Sequence, residues 1–327
     1  MLTSLHIQGF KGFKDTKVDE LRKVNLILGG QNAGKTSLLE VTVLILNSPH
    51  NAASRASINA IPYLFRIAED GDQARYWRSI FEEKSKSEGV KISYAVDEVT
   101  YIRKLGYGVG GTDIQIDGLD GIKFQDTRLH TTDYRIDLPH EKLPLPAIFS
   151  TTLPKQSELV KLYGEIVKNK LKKQLTTILK KIEPRLDGLD AVAPDGEHRV
   201  YVDLDDAFQM LPMPQLGHGF ARLFAIYSEL FVTNSDLALI DEIENGIHYS
   251  ALPTVFRGIR EIAESKDVQS MITTHSWECV RAACEVFKDK PEDFQAIRLE
   301  RDGDNIVAVC IPGDRVLRMV EQDMEIR

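Results

Sequence analysis

The sequence predicts an α/β fold: a mixed β-sheet flanked by helices, with a β-rich and helical lobe inserted into it. Three observations carry that prediction. A short apolar strand, a glycine loop and a helical pattern follow one another across residues 24–46. The last third of the chain alternates strand-like and helix-like apolar patterns. Between them lies weaker, β-rich patterning broken by glycine and proline. The composition agrees with a folded chain. Its 327 residues are 43% hydrophobic and 28% charged, enough to bury a sizeable core, which excludes a disordered tail, a collagen-like fibre and a disulfide miniprotein.

Residues 2–9 alternate as a strand does, with Leu5 and Ile7 on one face. Residues 24–28, Val-Asn-Leu-Ile-Leu, are short, branched and stopped by Gly29-Gly30, so they read as a buried strand. Residues 36–46 carry Leu38, Leu39, Val41, Leu44, Ile45 and Leu46 without a breaker and read as a helix. Past residue 50 the pattern weakens: 63–81 reads as helical, and 91–96, 99–103, 113–117 and 121–124 read as strands around a glycine-dense 106–111. Pro144, Pro146 and Pro154 exclude a helix across 143–155 and mark a connector. Residues 157–182 read as one amphipathic helix, with Leu159, Leu162, Ile166, Leu171, Leu175, Ile178 and Ile182 at helical spacing and seven lysines on the other face. Helices at 220–231, 251–265 and 277–287 then alternate with strands at 237–241 and 270–274, and 296–311 reads as a hairpin turning at Arg301-Asp302-Gly303-Asp304. The resulting division is 1–50, an inserted lobe at 51–204 with its helical arm at 157–182, and 205–327.

No apolar run reaches the roughly 18 residues that span a bilayer, and the first ten residues lack the apolar core and cleavage site of a signal peptide. Three cysteines without ligand spacing suit a reducing, cytoplasmic setting. A net charge of −8 argues against a wholly basic nucleic-acid coat, while the lysine face of 157–182 leaves room for a local contact with phosphate backbone.

Four strings carry chemistry. Gly29-Gly30-Gln31-Asn32-Ala33-Gly34-Lys35-Thr36 matches G-x-x-x-x-G-K-[ST] in full, between a strand and a helix. Such a loop turns consecutive amide N–H groups and a helix N-terminus toward phosphate; Lys35 reaches the β- and γ-phosphates, and the Thr36 hydroxyl ligates Mg²⁺. This is the phosphate loop of a P-loop NTPase, with ATP and Mg²⁺ as its expected ligands. The strand Leu237-Ala238-Leu239-Ile240 ends in Asp241-Glu242; Asp241 suits the Mg²⁺ side and Glu242 the general base that polarises water. Ile272-Thr273-Thr274-His275 ends another strand in a histidine able to hydrogen-bond the γ-phosphate or the attacking water while neutral. Gly217-His218-Gly219 precedes a helix and suits either a second anion loop, facing ATP across a dimer, or a plain helix-capping turn.

This order of motifs, with the opening Leu5-His6-Ile7-Gln8-Gly9-Phe10-Lys11-Gly12-Phe13, resembles the ABC-type ATPases of the RecF, SMC and OLD group. The run Leu239-Ile240-Asp241-Glu242-Ile243-Glu244-Asn245-Gly246-Ile247-His248-Tyr249-Ser250 narrows the resemblance to stand-alone OLD-like "AAA family ATPases" of the AAA-15 and AAA-21 grouping. It covers about the first 50 residues and the last 120. The resemblance implies an ABC-ATPase-type head in which Gly29, Gly30, Asn32, Ala33, Gly34, Lys35, Thr36 and Ser37 bind the triphosphate, Thr36 and Asp241 serve Mg²⁺, and Glu242, His275 and Lys35 are catalytic. Gly217 and Gly219 would contact ATP in the opposite subunit, and Lys11 would approach the nucleotide. Leu216 stands where a serine is frequent in the signature, which implies slow or partner-stimulated turnover. No glutamine-loop residue stands out between Gln73 and Gln115. A Toprim nuclease domain has no room after His275.

The implied function is an ATPase that dimerises around ATP, as a homodimer or a higher oligomer, and regulates a separately encoded effector such as a nuclease or Toprim-like protein in anti-phage defence. A RecF-like repair ATPase binding DNA directly through 157–182 is the alternative, and a weakly hydrolysing ATP-gated scaffold a third. No membrane partner is expected.

Overall fold

The structure, a computed structural model, describes residues 1–46, 90–97, 99–107, 113–116, 119–125, 128–131, 144, 146–151, 154–194, 196–324 and 326. The helix expected at 63–81 and Gln73 lie outside the described residues. Two large sheets share the work. In the first, β1 (Leu2–Gln8) lies between β2 (Thr16–Val18) and β4 (Val90–Val96), and the antiparallel order continues through β5 (Val99–Tyr107), β6 (Asp113–Ile116), β7 (Leu119–Gln125) and β8 (Arg128–Thr131). The second sheet contains β3 (Val24–Leu28), β9 (Pro146–Phe149), β13 (Leu237–Ile240), β14 (Gln269–Thr273), β15 (Phe294–Asp302) and β16 (Asn305–Pro312). Its order is β16-β15-β3-β14-β13-β9, parallel throughout except for the β15–β16 hairpin. A small antiparallel sheet joins β10 (Leu186–Val192), β11 (Arg199–Leu204) and β12 (Leu211–Pro212).

The parallel sheet is covered on both faces, which is why its strands read as near-continuous apolar runs. Alternation along each strand divides the core. Val24, Leu26, Leu28, Ala238, Ile240 and Ile272 enter one cluster with α4 (His218–Val232), α5 (Leu252–Lys266) and α6 (Trp277–Phe287). Ile27, Leu237, Leu239, Met271 and Ile297 enter the other with α1 (Lys35–Leu46) and the antiparallel sheet. Because β3, β13 and β14 run parallel, the segments leaving their C-terminal ends (the glycine loop, the Asp241 turn and the His275 turn) emerge at one edge. Such an edge is where open α/β sheets place their ligands.

Three expectations are corrected. The single helix over 157–182 is two, α2 (Gln156–Lys168) and α3 (Lys172–Lys180). Lys170 takes φ 59° and the Leu171 N–H reaches back to the Ile166 carbonyl, a Schellman closure made without glycine. Its basic face is largely spoken for: Lys168, Lys172, Lys180 and Lys181 pair with Glu165, Asp190, Asp187 and Glu261. The proline-marked connector contains β9, which pairs in parallel with β13 at the edge of the central sheet; Pro146 is its first residue, where a missing N–H costs little. The helices of 157–182 also pack into the main core on α4, with Leu159, Tyr163, Ile166, Leu175 and Ile178 buried there. Several elements went unread: β2, β8, the small sheet of β10, β11 and β12, and α7 (Gly313–Glu321) after the final hairpin.

Among the described residues no helix is long and apolar enough to cross a membrane. The three thiols are free, and burial pushes Cys279 and Cys284 up to about 12, so neither is a ready nucleophile.

Candidate active site

The glycine loop fills the turn between β3 and α1. Asn32 is left-handed at φ 58°, and Gly34 has φ 92°. A Cβ on Gly34 would lie 2.7 Å from Ile306 Cδ1 and 3.1 Å from Phe13 Cζ, so the loop rests directly on the opening Phe10–Phe13 turn and on β16. No acidic residue stands in the first turn of α1, which leaves its N-terminus open to an anion. Gln31, Asn32, Ala33, Gly34, Lys35, Thr36, Ser37, Glu242 and His275 line one cavity of about 650 Å³. Thus the phosphate loop, the general-base candidate and the histidine, 240 residues apart in the chain, share one space.

Lys35 folds over its own loop and donates to the carbonyls of Gly29 at 2.8 Å and Gly30 at 2.9 Å. Burial lowers its pKa, partly offset by Glu242, Glu244 and Asp241. An incoming phosphate would replace those carbonyls with full charge and remove the desolvation penalty.

Asp241 is 5% exposed, and its carboxylate receives Thr36 Oγ1 at 3.1 and 3.2 Å and Thr273 Oγ1 at 2.6 Å. Two neutral hydroxyls are thin compensation for a buried carboxylate. That deficit, beside the Thr36 hydroxyl, fits a hard cation. Among the described residues no cluster of three or more His, Cys, Asp or Glu is disposed to hold a metal.

Glu242 sits in the left-handed region at φ 46°, uncommon for a residue with a side chain. Its N–H donates to Thr273 Oγ1 at 2.8 Å. Arg222, to which no role was assigned in sequence, holds the same turn from below. Buried to 3% exposure on α4, it donates from Nη1 to the carbonyls of Glu242 at 2.6 Å and Asn245 at 3.4 Å, and from Nη2 to that of Asp241. Desolvation pulls the Arg222 pKa down, and Asp241, Glu244 and Glu242 pull it back.

Gly217, at φ 95°, caps α4 without a side-chain bond and is exposed with His218, whereas Gly219 is buried. A Cβ on Gly219 would lie 2.1 Å from the Gly246 carbonyl oxygen. The glycine turn is therefore seated on the Asp241–Gly246 loop, at the same edge as the cavity. Lys11 does not line that cavity. Its ammonium pairs with Glu40 on α1, a wholly buried carboxyl that desolvation raises to about 7 against the pull of Lys11.

Comparison with known proteins decides the family. An "AAA domain" model matches residues 4–193, more than half of the chain, and an "AAA ATPase domain" model matches residues 145–280. The chain belongs to the AAA domain family. Its mixed sheet flanked by helices is the fold of Smc-type ATPase heads. This AAA-domain protein is 22% identical to an "ATP/GTP phosphatase" of Helicobacter pylori, over 89% of each chain. Among solved structures it resembles an Smc head bound to the C-winged helix domain of ScpA, with TM-score 0.56, 12% identity and coverage of 97% of this chain and 99% of that one. An Smc head with an extended coiled coil, bound to the C-terminal domain of ScpA derived from Pyrococcus furiosus, gives TM-score 0.53 at 12% identity over 98% and 99%. At such identity these neighbours establish the fold.

Proposed function

We propose that this AAA-domain protein hydrolyses ATP as a Mg²⁺-dependent homodimer of the OLD-like kind and uses the resulting motion to control a separate effector. The observation that carries the reading is the shared cavity, in which a complete phosphate loop meets Glu242 and His275 with Asp241 behind Thr36. The loop amides, the α1 N-terminus and Lys35 bind and orient the triphosphate. Thr36 and Asp241 would hold Mg²⁺, which supplies charge neutralisation on the phosphates. Glu242 accepts a proton from the water that attacks the γ-phosphorus, and the bond to the β-phosphate oxygen breaks with its electrons on ADP. Thr273 and Arg222 hold the turn that aims Glu242.

The exposed Gly217–His218 turn at the same edge as the cavity supports dimerisation. Two copies related by a two-fold axis bring each turn to the other's nucleotide, and hydrolysis loosens the pair by removing the γ-phosphate contact. A nuclease effector and an anti-phage role in the cytoplasm rest on the OLD-like resemblance of residues 239–250. Direct DNA binding is disfavoured by the ion pairs that occupy four of the lysines between 157 and 182. The test is phosphate release by the purified chain with ATP and Mg²⁺, with sedimentation run in parallel. Release abolished in Glu242→Gln, together with an ATP-dependent dimer, supports the reading. Wild-type turnover no faster than Glu242→Gln, or a monomer under all conditions, overturns it.

A further inference from the structure

The third acid of the Asp241-Glu242-Ile243-Glu244 run, Glu244, has no role in the chemistry above, yet it stands beside it. The Glu244 side chain is 14% exposed and sits near a place built for anions, where an unpaired carboxylate would repel substrate phosphate. Its Oε1 accepts the His275 backbone N–H at 3.0 Å and lies 3.2 Å from His275 Nδ1. Its Oε2 lies 3.9 Å from Cys279 Sγ, one turn further on in α6. One carboxylate thus grips the histidine at two points, backbone and ring, while the ring remains 58% exposed and lines the cavity with Glu242.

We propose that Glu244 is the positioning residue of His275: it fixes the Nδ1–H form of the imidazole and leaves Nε2 as the nitrogen available to the cavity. A carboxylate accepting from Nδ1–H sets the tautomer and the orientation of the ring. In the nucleotide-free protein His275 Nε2 then accepts a hydrogen bond from water. Once protonated, it donates to a γ-phosphate oxygen, its positive charge offset by Glu244. The carboxylate–histidine unit so formed presents one defined ring nitrogen to the cavity. The ring and backbone contacts act together, so loss of Glu244 frees both the tautomer and the angle of the turn. This inference deepens the ATPase reading and depends on it for its kinetic arm alone.

The experiment uses the full chain labelled with ¹⁵N-histidine, at alkaline pH without nucleotide. His275 is assigned by the resonance lost in His275→Ala. Two-bond proton–nitrogen spectra are expected to show His275 as Nδ1–H in the wild type. Glu244→Gln, which keeps a carbonyl acceptor, should retain that form, and Glu244→Ala should convert it to the Nε2–H form that a free imidazole favours. In ATP hydrolysis, Glu244→Ala is expected to lower kcat about tenfold with KM for ATP within about twofold, and Glu244→Gln to restore most of the rate. Adding Glu244→Ala to His275→Ala should cost nothing further. A wild-type Nε2–H form, an unchanged tautomer in Glu244→Ala, or losses that multiply in the double variant would overturn the proposal. Absence of hydrolysis by the wild type would strike the proposed activity, while the nucleotide-free spectra still decide the positioning.

Discussion

Gly219→Ala separates two roles for the second glycine of the turn before α4. As a plain helix-starting residue, Gly219 gains from alanine, which favours a helix by up to about 1 kcal/mol. The structure predicts the opposite sign. The added Cβ would meet the Gly246 carbonyl oxygen at 2.1 Å, its carbon at 2.7 Å and Ile247 Cγ1 at 3.2 Å. Two of these are backbone atoms that yield only if the loop moves. Restoring ordinary contact separates α4 from the 241–246 loop by roughly 1 Å. At that distance the 3.4 Å bond from Arg222 to Asn245 is lost and the 2.6 Å bond to Glu242 is stretched to its limit. Overpacking of this kind costs about 1–3 kcal/mol, which exceeds the helix gain over most of its range. Thermal denaturation without nucleotide should show Tm falling by roughly 1–3 °C in a chain of this size. Because the displaced loop carries Glu242, kcat should fall about tenfold or more. Gly217→Ala is the control: φ 95° is strained for alanine, but nothing lies within 4 Å of its Cβ, so the loop stays in place. An unchanged or raised Tm for Gly219→Ala would refute the packing role and return Gly219 to the capping turn.

Lys35→Ala should weaken ATP binding at least about 30-fold by calorimetric titration, since it removes the cation that closes over the phosphates. Glu242→Gln should keep ATP affinity within about threefold while abolishing turnover, and gel filtration with ATP and Mg²⁺ should show a persistent dimer. Arg222→Met, which keeps the buried stem but releases three carbonyls, should lower kcat about 10–100-fold with KM little changed; a raised KM with kcat unchanged would assign Arg222 to substrate binding. Glu40→Gln tests the buried pair with Lys11. The Glu40 pKa is raised from 4.5 to about 7, so the folded state holds the proton longer than the unfolded chain, and this carboxyl's contribution to stability declines as pH rises from about 4.5 to 7. Denaturant titrations should therefore show the variant gaining on the wild type by up to about 3 kcal/mol across that window, and a pH-independent difference would count against the raised pKa.

The catalytic strings were legible because each lies on one continuous stretch of chain. Gly29 to Thr36 is a single loop, and Asp241-Glu242 follows its strand directly. Period-two alternation in β3 and β13 was hidden by burial on both faces, yet length and glycine punctuation still marked them as strands. What escaped depends on pairs far apart in sequence. Arg222 meets Glu242 across 20 positions, Glu244 meets His275 across 31, and Lys11 meets Glu40 across 29. Nothing local distinguishes an arginine on an apolar helix face that anchors a turn from one that reaches solvent. The break between α2 and α3 escaped because Asn169-Lys170 closes the helix through backbone bonds that most residues can make. β9 escaped because Pro146 argues against a central strand and only its edge position permits it.

The contacts hidden from sequence also explain how the two glycine turns act together. α4 begins at the exposed Gly217–His218 turn, and one helical turn later its Arg222 grips the carbonyls of Asp241, Glu242 and Asn245. Gly219 and Gly246 lie in direct backbone contact. In the proposed dimer, a second subunit pressing on Gly217 would therefore not move α4 without moving the turn that holds Glu242 in its left-handed conformation. Coupling between closure and hydrolysis in that dimer would need no long pathway, since a single packed interface would serve both. The same rigidity predicts that hydrolysis should respond cooperatively to protein concentration. Turnover per chain should rise across the dilution range in which the dimer forms, and the Arg222→Met variant should still dimerise with ATP but lose that rise. A turnover number independent of concentration, in a chain that does dimerise, would separate closure from catalysis and place the working site wholly within one copy.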